Sequence, residues 1–193
     1  PALCNKYTRT RMALLGGADA VIELPALYAL SSAEFFASGA VTLLNQLNTI
    51  NLLSFGSESG NLPLLQSCAH MLTEENSSLD GKIREYLQQG YSYPVSRAKA
   101  LSHENIELLS SPNNILGLEY CKALLASNSS IIPFTLKRKD AGYHETSFSN
   151  SATGYASASA IRNALLKETE AAKKLSAYVP SEVYQMFESD QLS

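Results

Sequence analysis

Apolar residues recur along this chain with two different spacings, and segments of the two kinds alternate. Apolar residues three and four apart predict amphipathic helices, whereas short unbroken apolar runs bounded by turn residues predict buried strands. Helices are predicted at residues 6–15, 32–47, 62–72, 79–89, 95–101, 114–127 and 158–168, followed by two short helices ending near residue 188. Strands are predicted at residues 18–24, 50–55 and 131–137. Strands separated by helices predict a parallel sheet covered on both faces, which is an α/β fold.

Turn and cap residues mark the ends of several predicted elements. Gly16-Gly17 follows the first helix and is a typical C-terminal signal. Pro25 stops the first predicted strand because proline cannot donate to a strand ladder. Ser31 or Ser32 is predicted to cap the second helix.

The length and charge of the chain limit its possible partners. At 193 residues it fits one domain, with room for a small appendage, and can bury a sizeable core. The formal net charge is -3, so the chain has no global basic field for nucleic acid. Contacts with nucleic acid must therefore come from local patches or from other parts of the protein. Two such basic patches are Lys6, Arg9 and Arg11 near the start, and Lys137, Arg138 and Lys139 later.

Cysteine usage and hydropathy predict a cytoplasmic protein. The three cysteines, Cys4, Cys68 and Cys121, are far apart and form neither a zinc-ligand spacing nor a disulfide framework. No metal site is predicted. No apolar run reaches the roughly 20 residues that a membrane helix needs, and no signal peptide opens the chain. The chain begins without methionine and enters a helix at once, so we expect a further segment upstream of Pro1.

A serine-rich loop that runs into a helix is the strongest candidate for anion binding. Ser157 and Ser159 precede Arg162 at the start of the predicted helix at 158–168. Helix N-termini expose backbone N–H groups and carry the positive end of the helix dipole, which favours phosphate. Arg162 opposes that dipole, so a bound anion would explain its position. The alternative is a plain serine N-cap with a solvated arginine.

Three loops follow predicted strands or open a helix, where ligands bind in open α/β sheets. They are Gly56-Ser57-Glu58-Ser59-Gly60, Ser111-Pro112-Asn113-Asn114-Ile115-Leu116-Gly117 and Lys137-Arg138-Lys139-Asp140. Glycine allows a nucleotide close to the backbone, asparagine offers amide donors, and the cations could reach phosphates. Taken singly, each is equally an ordinary turn, a helix cap or a solvated charged edge. His144 could be a base or a ligand, although loop histidines are mostly neither.

These segments, in this order, resemble the family of tRNA(Met) cytidine acetate ligases, bacterial relatives of the HxGH nucleotidyltransferases. The matching motifs are Asn-Lys-Tyr-Thr-Arg-Thr-Arg-Met-Ala-Leu at 5–14, Asp-Ala-Val-Ile-Glu-Leu-Pro at 19–25, Phe-Gly-Ser-Glu at 55–58, Gly-Tyr-Ser-Tyr-Pro at 90–94, Pro-Asn-Asn-Ile-Leu-Gly at 112–117, Lys-Arg at 137–138, Tyr-His at 143–144 and Ser-Ala-Ser-Ala-Ile-Arg at 157–162. The resemblance is collinear to about residue 170 and is therefore more specific than any single motif.

The resemblance implies an enzyme that uses ATP to adenylate acetate and then acetylates the wobble cytidine of elongator tRNA(Met), giving N(4)-acetylcytidine. Magnesium is the expected companion of the triphosphate. By resemblance, Gly56 passes under the adenosine, Asn113 or Asn114 bonds base or ribose, and Arg138 meets the phosphates. Ser157, Ser159 and Arg162 hold the β and γ phosphates. Lys6, Arg9, Arg11 and His144 are possible substrate or tRNA contacts.

The chain also departs from the family pattern. The His-Asn-Gly-His signature, whose histidines stabilise the transition state, is expected upstream of Pro1, and the downstream helical region is absent. We therefore expect residues 1–170 to form a nucleotidyltransferase-like ATP-binding domain without its first unit, and 171–193 to begin a helical region. This chain alone is expected to be inactive. The alternatives are a small-molecule adenylyltransferase of the same superfamily and a non-catalytic tRNA-binding domain.

Overall fold

The predicted parallel sheet is present as two strands. In the computed structural model, which describes residues 3–73, 77–100, 111–138, 156–167 and 175–188, β1 (Leu52–Ser57) pairs in parallel with β2 (Ile132–Lys137). The register sets Leu52 opposite Ile132 and Ser57 opposite Lys137. Parallel neighbours joined by intervening helices are the arrangement that the alternating pattern predicts.

Most of the described residues are helical. The helices are α1 (Lys6–Leu15), α2 (Ala26–Ala29), α3 (Ala33–Leu47), α4 (Leu62–Thr73), α5 (Ser77–Gln88), α6 (Tyr93–Ala100), α7 (Pro112–Ala126), α8 (Ala158–Lys167) and α9 (Ser181–Glu188), with a 3-10 turn at Leu175–Ala177. Each of the seven helices predicted with a stated start is present within two residues of that start, and α2 was not predicted. Of the two short helices predicted to end near residue 188, one is α9 and the other is the 3-10 turn. Predicted ends at residues 101 and 168 lie outside the described residues.

The chain divides into two units. Unit 1 comprises Pro1–Glu23 and Lys139–Ser193, and unit 2 comprises Leu24–Arg138. In unit 1, α1 contacts α9, and α9 buries Val183 and Met186. The N-cap of α1 is Asn5, whose side chain accepts a hydrogen bond from the Thr8 backbone N–H. Gly16 and Gly17 follow α1 as predicted, and Gly17 has a positive φ of 101°.

Helix α7 is the centre of unit 2. It packs against α3, α4 and both strands. On one side, Leu118 and Cys121 join Leu65 and Cys68 of α4 in a fully buried cluster. Elsewhere along α7, Leu124 packs in a second cluster of buried residues that includes Val41 of α3. The even distribution of apolar residues around α7 is what a helix enclosed by neighbours requires.

The two faces of the sheet differ in burial, and this corrects the expectation of a sheet covered on both faces. Ser57 is buried and Phe55 packs against the α4–α7 cluster. Residues of the opposite face are exposed to 45–62%: Leu52, Ile132, Phe134 and Leu136. Within the described residues, helices therefore cover one face of this sheet. Burial alternates along each strand because successive side chains point to opposite faces.

The predicted strand at 18–24 is also wrong. That segment has no strand assignment, and its apolar Val21 and Ile22 are 42% and 50% exposed. An apolar run becomes a strand only where a neighbour accepts its ladder hydrogen bonds, and among the described residues the only pairing is β1 with β2. The strand expected at 50–55 lies at 52–57. It continues to Ser57 because Gly56 and Ser57 pair with Leu136 and Lys137 of β2.

Gly117 of α7 provides a test of the packing between this helix and the sheet. A Cβ at Gly117 would lie 2.6 Å from Cε2 of the Phe55 ring. We expect Gly117→Ala to lower the free energy of unfolding by roughly 1 kcal/mol, because overpacking costs about 1–3 kcal/mol and the gain in helix propensity returns about 1 kcal/mol. Urea titration of the chain measures this difference.

Gly81→Ala is the matched control. Gly81 lies inside α5, and a Cβ there would meet nothing within 4 Å. The same substitution should then raise the free energy of unfolding by up to about 1 kcal/mol through helix propensity alone. Equal or greater stability of Gly117→Ala would contradict the close contact with Phe55.

Candidate functional site

The loop after β1 is held in place by a buried hydroxyl network. The Thr135 hydroxyl donates to the Phe55 carbonyl at 3.2 Å and lies 2.7 Å from the Ser57 hydroxyl. Since the proton of Thr135 is used on the carbonyl, Ser57 donates to Thr135. Ser57 Oγ in turn accepts from the Gly60 N–H at 3.0 Å. The strand end and the loop that follows it are therefore fixed to the neighbouring strand.

The carboxylate of Glu58 occupies the N-terminus of α7. Its Oε2 accepts from the Asn114 N–H at 2.8 Å, and its Oε1 accepts from the Asn113 side-chain amide at 2.7 Å and the Asn113 N–H at 3.3 Å. Burial alone would raise the pKa of Glu58, but these hydrogen bonds outweigh it and lower the pKa below 4.5. A carboxylate here also complements the helix dipole.

Sequence reasoning missed Glu58 as the partner of this helix. Fifty-five residues separate Glu58 from Asn113, so no local spacing connects them. The available sequence signal was an acidic residue in a glycine-serine loop. The structure adds that Ser111, the N-cap of α7, makes no side-chain hydrogen bond. A helix start without a capping side chain needs another acceptor for its orphan N–H groups.

Asn114 joins the same two segments from the other direction. Its side chain is buried, with a relative exposure of 4%, and its Oδ1 accepts from the Ser59 N–H at 3.0 Å. Asn113 is half-buried beside it. Both asparagines, predicted as amide donors to a nucleotide, therefore also fix the loop at Gly56-Ser57-Glu58-Ser59-Gly60.

Gly56 and Arg138 lie against each other at the carboxyl ends of the strands. A Cβ at Gly56 would lie 3.4 Å from Cγ of Arg138, and the Arg138 N–H donates to the Ser57 carbonyl at 2.9 Å. Nearby, Gly60 has a φ of 63°, and a Cβ there would lie 2.5 Å from Cβ of Lys137. Unit 2 therefore gathers Gly56, Asn113, Asn114 and Arg138 at one sheet edge, as the loop positions predict.

The serine-rich segment of unit 1 forms a capped helix start. Ser157 is buried, and its Oγ accepts from the Ala160 N–H at 3.0 Å. This is the plain N-cap that the sequence left open for Ser157. Ser159 and Arg162 are half-buried in the first two turns of α8. Within the described part of the chain, the Arg162 Nε is buried and has no hydrogen-bond partner. A buried guanidinium donor without an acceptor is typical of a site that receives an anion.

The basic residues of α1 differ in their surroundings. The Lys6 Nζ lies 3.0 Å from the Glu23 carboxylate. The hydrogen bond to Glu23 and its negative charge raise the pKa of Lys6, and the carboxylate offsets the positive charge that Lys6 presents to a partner. Arg9 and Arg11 are exposed on the same helix. His144 lies outside the described residues, so its predicted role stays untested.

The described residues contain no group of three or more histidine, cysteine or acidic side chains placed to hold a metal ion. None of their helices is both long enough and apolar enough to cross a membrane. None of the three cysteines forms a disulfide. Burial raises the pKa of the Cys121 thiol to about 11.

Comparison with known proteins confirms the resemblance found in the motifs. Residues 1–193 match the family described as HIGH Nucleotidyl Transferase. The chain is 47% identical over 169 residues to the tRNA(Met) cytidine acetate ligase of Clostridium novyi, covering 84% of this chain and 42% of that protein. It is 41% identical over 196 residues to the ligase of Alkaliphilus metalliredigens, covering 94% of this chain and 46% of the relative. The chain thus spans less than half the length of these relatives.

Solved structures give the same result for the fold. The apo structure of TmcAL from Thermotoga maritima superposes with a TM-score of 0.88 at 32% identity, covering 99% of this chain and 46% of that one. The structure of the same protein bound with alpha-thio ATP gives a TM-score of 0.84 at 30% identity, covering 99% and 45%.

Glu58→Gln tests the carboxylate that caps α7. We expect this substitution to lower the free energy of unfolding at neutral pH by about 1 kcal/mol, because the helix N-terminus loses an anion that accepts several hydrogen bonds. Since folding lowers the pKa of Glu58, its contribution is complete above the unfolded pKa and disappears as the pH falls through the folded pKa. The difference between wild type and variant should therefore shrink below about pH 4.5.

Urea titrations at a series of pH values measure that difference. Glu85→Gln is the control, because Glu85 is exposed on α5 and its substitution should change stability by less than about 0.5 kcal/mol. A Glu58→Gln variant that matches wild type at neutral pH would refute the capping role.

Proposed function

The chain belongs to the HIGH nucleotidyl transferase family, and on that premise we propose that it carries ATP-binding residues of an enzyme that acetylates tRNA(Met). The observation that carries the proposal is the cluster of Gly56, Asn113 and Arg138 at the carboxyl ends of two parallel strands. Ligands of open α/β sheets bind at that edge. The names of the similar ligases and the nucleotide bound to the Thermotoga maritima protein support ATP, acetate and tRNA(Met) as substrates.

The reaction has two steps. A carboxylate oxygen of acetate attacks the α-phosphorus of ATP, the bond from that phosphorus to pyrophosphate breaks, and acetyl-AMP forms. The N4 amine of the wobble cytidine then attacks the acetyl carbonyl carbon, AMP leaves with the bonding electrons, and the amine loses a proton. The first step increases negative charge on the departing pyrophosphate, so positioned cations lower its barrier.

Each part of the cluster has a role in this proposal. Gly56 leaves room for the nucleotide, since it carries no side chain beside Arg138. Asn113 or Asn114 contacts the base or ribose; Asn113, which is less buried, is the better placed of the two. Arg138 meets the phosphates through its guanidinium group.

In unit 1, the start of α8 carries the other residues that we propose to bind phosphate. We assign Ser159 and Arg162 to the β and γ phosphates, with Ser157 fixing the first turn through its cap. The buried, unpartnered Nε of Arg162 among the described residues supports this assignment. Lys6, Arg9 and Arg11 are retained as possible tRNA contacts, with Lys6 weakened by its pairing to Glu23.

We propose Mg²⁺ as the ion that accompanies ATP. Because the described residues hold no cluster of metal-ligating side chains, the triphosphate oxygens and water would supply most of its ligands, as is usual for this ion. A tRNA substrate places the proposed reaction in the cytoplasm.

Pyrophosphate exchange tests the proposal directly. The full-length protein that contains this chain, given ATP and labelled pyrophosphate, should form labelled ATP only when acetate is present, because acetyl-AMP formation is reversible. The assay is run with and without tRNA, because the proposed first step does not consume tRNA. Exchange that requires a phosphorylated small molecule instead of acetate would indicate an adenylyltransferase, and tRNA binding without any exchange would indicate a non-catalytic domain.

Arg162→Ala tests the phosphate role of α8 in the same assay. We expect the acetate-dependent exchange rate to fall by about 100-fold, the scale of losing one group that stabilises transition-state charge. Arg162→Lys should recover part of the rate, because lysine restores the charge without the planar fork. Thermal unfolding of each variant checks the fold. Unchanged exchange and unchanged ATP affinity in a folded Arg162→Ala protein would remove Arg162 from the site.

A further inference from the structure

Helices α5 and α6 of unit 2 form a hairpin whose turn is set by backbone hydrogen bonds. The Gly90 N–H donates to the Leu87 carbonyl at 3.0 Å, and the Tyr91 N–H donates to the Tyr86 carbonyl at 3.3 Å. Gly90 has a φ of 88°. These bonds and this φ define a Schellman motif, which closes a helix and brings the residue after the glycine beside the last turn.

The turn creates an ordered aromatic cluster. The Tyr86 and Tyr91 rings meet edge to face with centroids 6.2 Å apart. The Lys99 Nζ of α6 lies 4.7 Å from the Tyr91 centroid and 5.8 Å from that of Tyr86. Ser96, fully buried, donates from its backbone N–H to the Ser92 carbonyl at 2.8 Å. The contact between the two rings and their contacts with Lys99 order Tyr86 and Tyr91 beside each other, and such preorganisation reduces the entropy lost on binding.

Much of this aromatic surface remains open. Tyr91 is 41% exposed and Tyr93, the first residue of α6, is 57% exposed. We use the name tyrosine face for the cluster of Tyr86, Tyr91 and Lys99 together with Tyr93, which follows Tyr91 by two residues at the start of α6. A tyrosine costs little rotamer entropy to hold and presents a broad π surface, so an exposed and ordered group of them is suited to stacking.

The charge of the hairpin differs from that of the whole chain. Between residues 77 and 100 the sequence has four basic residues, Lys82, Arg84, Arg97 and Lys99, and two acidic ones, Asp80 and Glu85. The hairpin thus has a surplus of two positive charges within a chain of net charge -3. Lys82 and Arg84 are exposed on α5. A local basic surface with interleaved aromatics is the footprint of a nucleic-acid contact.

We propose that the tyrosine face binds unpaired nucleotides of the RNA substrate. Bases that are splayed out of a loop stack on aromatic side chains, and lysine and arginine neutralise the adjoining phosphates. The identification of that RNA as tRNA(Met) rests on the proposed function, whereas the RNA-binding chemistry rests on the hairpin alone. The surplus of positive charge favours RNA over a protein partner, because the phosphates of RNA neutralise it.

Tyr93→Ala in the full-length protein provides the test. With in vitro transcribed elongator tRNA(Met) as the probe, we expect the Kd to rise by about tenfold, the scale of losing one aromatic platform under a base. Tyr93→Phe is the matched control and should bind like wild type, since it keeps the π face and lacks only the hydroxyl. Thermal unfolding checks that both variants fold.

Lys82→Ala gives an independent measurement. Its removal should reduce the slope of log affinity against log salt by about 0.7–0.9, the value for one lost phosphate contact. Unchanged tRNA affinity in folded Tyr93→Ala together with an unchanged salt slope in Lys82→Ala would overturn the proposal and leave this face for a protein partner. Wild-type protein that binds tRNA through this face but gives no acetate-dependent exchange would refute the proposed function alone.

Discussion

The bond between the Glu58 carboxylate and the start of α7 is the constraint on which the sheet edge depends. It joins the loop after β1 to a helix that begins more than fifty residues later. The reciprocal bond from the Ser59 N–H to Asn114 closes the connection. Because α7 also packs against α3, α4 and both strands, the helix that holds the loop is itself held by the core. Gly56 and Arg138 lie together at an edge held in this way.

Because Glu58 caps α7, the start of this helix is a poor site for a phosphate. The free N–H groups at a helix start are a ready anion site, but at α7 the protein's own carboxylate already accepts from Asn113 and Asn114. A phosphate at the same groups would meet a negative charge. Within unit 2, the proposed function therefore leaves the phosphates to Arg138, which lies beside Gly56.

The local charge of the α5–α6 hairpin favours the proposed RNA binding, whereas the net charge of the whole chain does not. The net charge of -3 excludes a general basic field, yet the α5–α6 hairpin carries a positive surplus beside exposed tyrosines. Association with RNA through such a surface would be confined to one place, because screening at physiological salt limits each charge to a range of about 8 Å. Such a confined contact would suit the proposed enzyme, which has to orient one nucleotide of a folded RNA.

The sequence by itself determined the local elements and the order of the motifs. Periodicity and turn residues were sufficient for α1, α3 and α4, because each depends on residues within a few turns of itself, and the order of motifs was sufficient for the family. The predicted strand at 18–24 failed because a strand requires a partner that no local pattern specifies. Tertiary structure alone decided that Glu58 caps α7, that Asn114 is buried and that Arg138 lies beside Gly56. Such contacts join residues far apart in the chain, so their geometry is fixed only when the core brings the two segments together.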